Sequence, residues 1–407
     1  MIGVGLDLGN SKISCIVYDI NSKDKVKLLS LITRPTNSIK KSLIDNISKV
    51  KSEVEEIISQ AAKESQTEIV SVRLNVSIVN SLTSYINSEI SISNEKISDL
   101  HLKKSVNESE ILDSIDKYKV IHRSIINYEL DKQNNIVDPR GMYGDNLKVY
   151  FYKIAIRENY IKTINTIFEQ LNIHIEHFIP SPLSSALATL RNDEKELGSI
   201  SIDLGAGSTS ISIFENNKLI FLDAIPVGGQ HITTDIARGL STTLESAERL
   251  KTLYGSVITS PGDDYELIDV HVLGKDSNQF TQINRSQLNS IIKPRVEETL
   301  ELIRQKLKEY NLDKKSIRNL VLTGGGSLLE GIEEYAQIIF DSKTRISQPI
   351  PFIGLDNKFN KPQFSQTFGL MFYNKNDYQF NFLAENKEEI EKKSYFKRFS
   401  SWLDQYI

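Results

Sequence analysis

The pattern of apolar and polar positions repeats one unusual unit at two places in the chain. Near the N-terminus, IGVGLDLGNSKISCIVYDI combines an apolar strand ending in Asp-Leu-Gly, a small polar turn and a second, alternating strand. Residues 199–213, SISIDLGAGSTSISI, have the same arrangement. Alternation with period two predicts strands, and a short Gly-containing polar segment between them predicts a tight turn. The repeat predicts two related domains, each with its own Asp-Leu-Gly hairpin.

Other segments alternate between strand and helix patterns. A strand is predicted near residues 27–33 and an amphipathic helix over residues 39–64, with apolar positions at Val50, Val54, Ile57, Ile58 and Ala61. Residues 83–156 predict a separate βαββ unit, with a charged helix over residues 95–117 and two long strands. Residues 231–318 are predicted to be a largely helical section. This alternation predicts an α/β fold with helices flanking mixed sheets.

Composition and charge exclude several classes of protein. The 407 residues carry a net charge of −4, which is too balanced for wholesale nucleic-acid binding. A single cysteine, Cys15, allows no disulfide within the chain and predicts a buried, inert thiol in a reducing compartment. We expect no signal peptide and no spanning helix, because the N-terminus lacks a basic region and no apolar run approaches about 20 residues.

The repeated hairpin has the composition of a phosphate and metal site. Glycines let backbone N–H groups approach phosphate oxygens, hydroxyls add donors, and a carboxylate at a strand end can hold Mg²⁺ through water. A tight turn without a ligand is the alternative for one copy alone, whereas two copies predict a cleft that holds a triphosphate. The predicted residues are Asp7, Gly9, Asn10, Ser11 and Lys12 in the first copy, and Asp203, Gly205, Gly207, Ser208 and Thr209 in the second.

A third glycine segment, VLTGGGSLLEG, covers residues 321–331. An apolar strand enters Gly324, Gly325 and Gly326, and Ser327 begins the exit toward a helix. Three glycines allow the main chain to lie against a nucleotide, although alone they also fit a flexible turn. The segment is neither a Walker motif nor a dinucleotide fingerprint, because the following Lys and the spaced glycines are missing.

These three segments, in this order, resemble the actin-like ATPase superfamily. The resemblance implies a two-lobed fold of duplicated ribonuclease-H-like domains that binds ATP and Mg²⁺, with Asp7 and Asp203 holding the metal through water. It also implies roles for Gly228, Gly229 and Gln230 of IPVGGQ, and contacts of Glu248 and Lys251 with adenine and ribose. Taken alone, the spacing of Glu248 and Lys251 also fits an exposed ion pair on a helix face.

Within that superfamily the chain resembles the FtsA family of bacterial cell-division proteins. The inserted βαββ unit carries the family's strand and turn pattern, and similarity continues through residues 234–255, 291–303 and 321–332. The matching positions of the insertion are Tyr118, Val120, Ile121, His122, Asp138, Pro139, Gly141, Met142 and Gly144.

The resemblance implies a division of the chain into subdomains. Subdomain IA takes residues 1–82 and 157–197 with a closing helix at about 366–373, and the inserted subdomain IC takes residues 83–156. Subdomain IIA takes residues 198–229 and 319–365, and subdomain IIB takes residues 230–318. A flexible linker, residues 374–393, and an amphipathic helix, residues 394–407, complete the chain.

The last residues have the pattern of an interfacial membrane helix. Bulky apolar residues form one helical stripe with cations beside it, and the polar linker before it favours an anchor over a helix docked on the protein body. The predicted membrane-binding residues are Tyr395, Phe396, Lys397, Arg398, Phe399, Trp402, Leu403 and Tyr406.

The function implied by the resemblance is a membrane tether for cell division. ATP-bound chains would polymerise on the cytoplasmic face of the membrane, at the septum, and hold the FtsZ ring there. FtsZ would bind through its C-terminal peptide to subdomain IIB, and anionic lipids and downstream division proteins would be further partners. Actin-like proteins that hydrolyse ATP have at this position a Glu that helps to orient the attacking water, whereas this chain has Ser181. We therefore expect at most slow ATP hydrolysis. The alternatives are a PilM-like adaptor of type IV pilus assembly and an actin-fold sugar kinase.

Overall fold

The computed structural model describes residues 2–20, 26–40, 43–111, 116–271, 280–312, 319–354, 356–373 and 379–380. The first part of the chain contains β1 (Ile2–Leu8), β2 (Lys12–Ile20), β3 (Val26–Pro35), β4 (Ile39–Lys40), β5 (Leu43–Ile44), α1 (Ile47–Ser65), β6 (Ser71–Val76), β7 (Leu82–Lys96), α2 (Asp99–Ile111), β8 (Tyr118–Leu130), β9 (Gln133–Ile136), β10 (Tyr143–Arg157), α3 (Glu158–Gln170), β11 (His174–Pro180), α4 (Ser181–Thr189) and α5 (Asn192–Leu197).

The second part contains β12 (Ser199–Leu204), β13 (Thr209–Glu215), β14 (Lys218–Ile225), α6 (Gly229–Gly239), α7 (Leu244–Tyr254), β15 (Leu267–His271), β16 (Phe280–Asn284), α8 (Arg285–Glu309), β17 (Asn319–Thr323), α9 (Ile332–Phe340), β18 (Lys343–Ile346), α10 (Ser365–Phe372) and β19 (Gln379–Phe380). Two 3₁₀ turns, Gly325–Leu328 and Pro362–Phe364, precede α9 and α10.

Two five-stranded sheets share one topology. Their strand orders are β3-β2-β1-β6-β11 and β14-β13-β12-β17-β18. In each sheet the first three strands pair antiparallel and the last three pair parallel. The register is equivalent as well, since Asp7 lies opposite Ser14 on β2 and Asp203 lies opposite Ser210 on β13. The prediction of two related domains from the repeated hairpin is therefore confirmed. We call these domains the first and second lobes.

Helices α4 and α10 pack against each other between the two sheets. They approach so closely that a Cβ atom on Gly369 of α10 would lie 1.7 Å from the backbone oxygen of Ser184 on α4. Helix α10 packs on β1, β2 and β6 of the first lobe, whereas α4 also contacts β12 and β13 of the second. This crossing fixes the position of one lobe relative to the other.

The inserted unit is a sheet of order β19-β8-β10-β7, with β9 paired to β8. The inserted unit interrupts the sequence of the first lobe, and it also contacts the second lobe. The Tyr152 hydroxyl donates to the Leu222 carbonyl oxygen at 2.5 Å, and the Tyr85 hydroxyl donates to the Ile220 carbonyl oxygen at 3.1 Å. Strand β19 pairs Gln379 with Ser124 and Phe380 with Arg123. Two residues of the predicted flexible linker therefore lie on the inserted sheet.

Several predicted boundaries were wrong. Helix α1 begins at Ile47 instead of residue 39, because β4 and β5 pair and the Asn46 side chain caps the helix by accepting from the Lys49 N–H at 3.0 Å. Helix α2 begins at Asp99 because β7 continues to Lys96, and residues 231–318 include the β15–β16 hairpin. The predicted apolar face of α1 and Cys15 are buried as expected.

Among the described helices, none combines the length and apolar character needed to cross a membrane. The predicted anchor, residues 394–407, and nearly all of the linker before it lie outside the described residues.

Candidate functional site

A cavity of about 1160 Å³ lies between the two lobes, with both Asp-Leu-Gly turns in its wall. Its volume is ample for a nucleotide, since small-molecule sites in proteins usually measure roughly 300–1,000 Å³. The structure brings most of the predicted residues to this wall: Asp7, Gly9, Asn10, Ser11, Lys12, Asp203, Gly205, Ser208, Gly229, Gln230, Glu248, Lys251, Gly324, Gly325 and Gly326.

The two hairpin turns have the same backbone geometry. The Gly9 N–H donates to the Lys12 carbonyl oxygen at 3.1 Å, and the Gly205 N–H donates to the Ser208 carbonyl oxygen at 3.1 Å. A Cβ atom on either glycine would lie 2.7 Å from that carbonyl oxygen. Because any side chain would force the turn to open, glycine is required at both places. The two turns therefore form two similar backbone loops that face one cavity.

Asp7 and Asp203 stand at the ends of β1 and β12, and both are buried. Asp7 accepts hydrogen bonds from Asn75 Nδ2 at 2.9 Å and Thr367 Oγ1 at 3.0 Å, and Asp203 accepts from Gln366 Nε2 at 3.0 Å. Burial raises the pKa of Asp203 to about 6, opposed by the hydrogen bond from Gln366 and reinforced by the Asp7 carboxylate. Burial also raises the pKa of Asp7. A cation between these carboxylates would relieve the cost of ionising them.

Lys12 supplies a positive charge close to Asp7 and Asp203. Its Nζ donates to the Gln363 carbonyl oxygen at 2.7 Å and lies 4.7 Å from the centre of the Phe364 ring. Burial lowers the Lys12 pKa, and the two aspartates oppose that shift. Lys12 is therefore held at the cleft by the segment before α10.

The donor set fits Mg²⁺. Two buried carboxylates face the cavity, and the described part of the chain holds no group of three or more His, Cys, Asp or Glu side chains that could enclose a metal. A cation here would take its remaining ligands from water and from phosphate. That partial protein ligation is typical of magnesium in nucleotide sites.

The second-lobe wall is organised by Lys251 on α7. Its Nζ donates to the Gly229 carbonyl oxygen at 3.1 Å, to Thr233 Oγ1 at 2.8 Å and to Glu248 at 2.7 Å. The side chain of Lys251 is only 14% exposed, whereas Glu248 is half exposed. The pair is thus more than a solvent-facing ion pair, because its lysine ties α7 to the first turn of α6 at the cavity wall.

The triple glycine closes around Asp203. Gly324 has φ +83°, and a Cβ atom there would lie 2.2 Å from Asp203 Oδ1. Gly326 is packed against Leu204, with a Cβ position 2.9 Å from the Leu204 Cβ atom. Side chains at these two positions would displace the carboxylate or the end of β12. The glycines therefore allow a third backbone segment to reach the floor of the cleft.

Four predicted residues do not reach the cavity wall. The Thr209 hydroxyl donates to the Val227 carbonyl oxygen at 2.8 Å, and the Ser327 hydroxyl donates to the Gly324 carbonyl oxygen at 2.7 Å. Gly228 packs under the Gly205 turn, and Gly207 faces the Asn10 side chain across the cleft. These residues shape the loops that line the cavity.

Three side chains that contact the aspartates were not predicted from the sequence. Asn75 comes from β6, and Gln366 and Thr367 come from the first turn of α10. Asn75 lies beside Asp7 because β6 pairs with β1 in parallel, with Asp7 opposite Asn75. Strand register therefore places Asn75 at the site, and the packing of α10 on β1, β2 and β6 places Gln366 and Thr367 there.

Comparison with known proteins places the chain in a family. A model of the cell division protein FtsA matches residues 200–369, and a model of the SHS2 domain inserted in FtsA matches residues 80–155. The FtsA of Agrobacterium fabrum is 30% identical over 379 residues, covering 90% of this chain and 86% of the relative. The chain belongs to the FtsA family.

Other members of the FtsA family extend this match. The protein of Rhizobium meliloti is 31% identical over 379 residues, covering 90% of this chain and 86% of the relative. That of Escherichia coli is 26% identical over 413 residues, covering 98% of this chain and 97% of the relative.

Solved structures show the same actin-like fold. The PilM–PilN complex of type IV pilus biogenesis has a TM-score of 0.64 at 17% identity, covering 91% of this chain and 97% of that one. MreB5 of Spiroplasma citri bound to AMPPNP has a TM-score of 0.56 at 13% identity, covering 98% of each chain. The predicted fold class is therefore confirmed.

Proposed function

We propose that this FtsA-family chain binds ATP with Mg²⁺ in the cleft, polymerises on the cytoplasmic face of the bacterial cell membrane and tethers the FtsZ ring there. The observation that carries the proposal is the pair of equivalent glycine turns facing one cavity, with a buried aspartate beside each. A Spiroplasma citri MreB of the same fold was solved with AMPPNP bound, which supports a nucleotide in this cleft.

Each part of the nucleotide has a matching part of the wall. Backbone N–H groups and hydroxyls of residues 10–12 and 206–208 would hold the phosphates, Gly9 and Gly205 would keep the two turns tight, and Lys12 would add a positive charge. Glycines 324–326, Glu248 and Lys251 would flank the adenosine. Mg²⁺, when bound, would neutralise phosphate charge, and Asp7 and Asp203 would orient its water ligands.

We propose that ATP acts mainly as a structural ligand and is hydrolysed slowly. Ser181, at the start of α4, lines the cavity and offers a hydroxyl where a carboxylate would orient attacking water more effectively. Nucleotide would then hold the two lobes in the arrangement that joins subunits into a polymer.

Membrane attachment follows from the proposed anchor, residues 394–407. Burying one large apolar side chain contributes roughly 1.5–3 kcal/mol, so partial insertion of a few leaves one anchor weak and reversible. A polymer presents many anchors at once and binds anionic membranes far more tightly than a single chain. We therefore propose that polymerisation controls attachment.

Subdomain IIB, residues 230–318, is our candidate surface for the C-terminal peptide of FtsZ. Large apolar side chains are exposed there, with Tyr265 86%, Leu267 60% and Phe280 52% exposed. Leu267 and Phe280 lie on the β15–β16 hairpin, and Tyr265 lies two residues before β15. Exposed aromatic and aliphatic side chains of this kind suit an apolar peptide.

Liposome co-sedimentation with Mg·ATP tests the proposed tether. The full chain is expected to pellet with anionic liposomes, whereas a chain ending at Lys393 stays in the supernatant, because the truncation removes the apolar stripe. A chain with Trp402→Ala and Phe399→Ala provides a full-length control and should bind several-fold less.

Retention of both chains in the supernatant at polymerising concentrations would contradict the membrane tether. It would favour the second candidate, a peptide-binding adaptor like PilM, whose complex with PilN shares this fold. Equal pelleting of both chains would also contradict the assignment of the anchor to residues 394–407.

A further inference from the structure

A line of hydrogen-bonded side chains crosses the floor of the cleft from one lobe to the other. Asn75 Nδ2 donates to Asp7 Oδ1 at 2.9 Å and to Gln366 Oε1 at 3.0 Å. Gln366 Nε2 then donates to Asp203 Oδ2 at 3.0 Å. The line therefore joins the two aspartates through two neutral amides, and Gln366 is the member that reaches the second lobe.

Gln366 is held in this position because its helix, α10, is bound to α4. The Ser184 hydroxyl of α4 donates to the Gln366 carbonyl oxygen at 2.6 Å, and Gly369 of α10 packs against the Ser184 backbone. The next residue, Thr367, donates to Asp7 Oδ2 at 3.0 Å. The first turn of α10 thus contacts both aspartates while it is fixed to the helix crossing between the lobes.

The orientation of the Gln366 amide suits a positioning role. The side-chain Nε2 of Gln366 donates to Asp203 and positions one of its oxygens. The side-chain Oε1 of Gln366 accepts from Asn75, and Asn75 in turn orients Asp7. A hydrated cation requires its carboxylate partners at set distances, and residues behind the ligands commonly supply that order. A short or apolar side chain at residue 366 would leave both carboxylates without this constraint.

We propose that Gln366 is a positioning residue for the nucleotide-bound cation, holding Asp7 and Asp203 aligned across the two lobes. The proposal rests on the proposed binding of Mg·ATP and adds a contribution from α10 to the three glycine segments. It implies that Gln366 matters for nucleotide affinity when Mg²⁺ is present and little when Mg²⁺ is absent, since the phosphates also contact the backbone turns.

The test compares Gln366→Leu with the matched control Gln363→Leu in the full chain. Gln363 lines the same cavity and contributes its backbone oxygen to Lys12, so its side chain is outside the hydrogen-bonded line. Binding of ATP is measured by calorimetry with Mg²⁺ and with EDTA, and thermal unfolding is recorded for each variant. With Mg²⁺, Gln366→Leu is expected to bind about tenfold more weakly than the unaltered chain. With EDTA, the ATP affinities of Gln366→Leu and the unaltered chain are expected to agree within about twofold.

A merely structural role gives a different result. Equal loss of affinity with Mg²⁺ and with EDTA, unchanged affinity in both, or an equal effect of Gln363→Leu would each overturn the proposal. Absence of ATP binding by the unaltered chain would refute the proposed function, and the inference would fall with it. If Gln366→Leu does not fold, Gln366→Asn retains the amide but shortens its reach, and the same Mg²⁺-dependent loss is expected.

Discussion

Replacing Asp203 by asparagine is expected to weaken binding of Mg·ATP about a hundredfold, equivalent to about 2.7 kcal/mol. Asp203 is buried at the end of β12, beside Gly324 and within the network of Gln366. Asparagine is nearly the same size but removes the negative charge that offsets the cation, and attraction between charges is strong where water is excluded. Calorimetric titration with ATP and Mg²⁺ measures the change.

The control for this prediction is Asp223→Asn on β14, which removes an acidic residue of the same lobe. Asp223 pairs with Lys306 at 2.9 Å and does not line the cavity. Its affinity for Mg·ATP is expected to stay within about twofold of the unaltered chain. Equal affinities for the Asp203→Asn variant and this control would contradict the assignment of Asp203 to the cation.

Replacing Gly369 by alanine is expected to lower the free energy of unfolding by about 3 kcal/mol, a large effect for a single methyl group. The added Cβ atom would lie 1.7 Å from the Ser184 backbone oxygen, so α4 and α10 must separate. Their separation would disturb contacts on both lobes, because the helices pack between the two sheets. Urea unfolding followed by circular dichroism measures the loss.

Gly262→Ala is the matched control for the helix crossing. A Cβ atom on Gly262 would have Ser260 Oγ as its neighbour at 3.9 Å, which is ordinary contact. Its unfolding midpoint is expected to equal that of the unaltered chain. An unchanged midpoint for Gly369→Ala would show that the helices separate without cost and would refute the role given to the crossing.

The parts of the fold that could be predicted were those encoded by local pattern. The Asp-Leu-Gly hairpins combine period-two strands with glycine turns, and both features act within about fifteen residues of chain. The predicted helix over residues 39–64 began too early because β4, β5 and the Asn46 cap compete with helical periodicity. Periodicity identifies the buried face of a helix well and its first residue poorly.

The site was predictable only where residues lie on the glycine segments themselves. Asn75 and Gln366 reach the aspartates through parallel pairing and through the packing of α10, and no local pattern encodes either. Conversely, the hydroxyls of Thr209 and Ser327 looked available for a ligand but bind backbone carbonyl oxygens instead. Backbone acceptors within a tight loop compete with a ligand for nearby hydroxyls, and sequence alone does not reveal which of them prevails.

The most direct test of the central claim is a calorimetric titration of the full chain with ATP and Mg²⁺ between about pH 5 and pH 8. The Asp203 pKa is raised to about 6 in the ligand-free cleft, and Asp7, Lys12 and Gln366 face its carboxylate. Above about pH 6 the Asp203 carboxylate is mostly ionised and attracts the cation. Below about pH 6 the carboxyl group is mostly protonated, and it must lose its proton before the cation binds. The account predicts saturable binding of one nucleotide per chain, with affinity highest above about pH 6 and falling as the pH drops below it. Absence of saturable binding across this range would contradict the account.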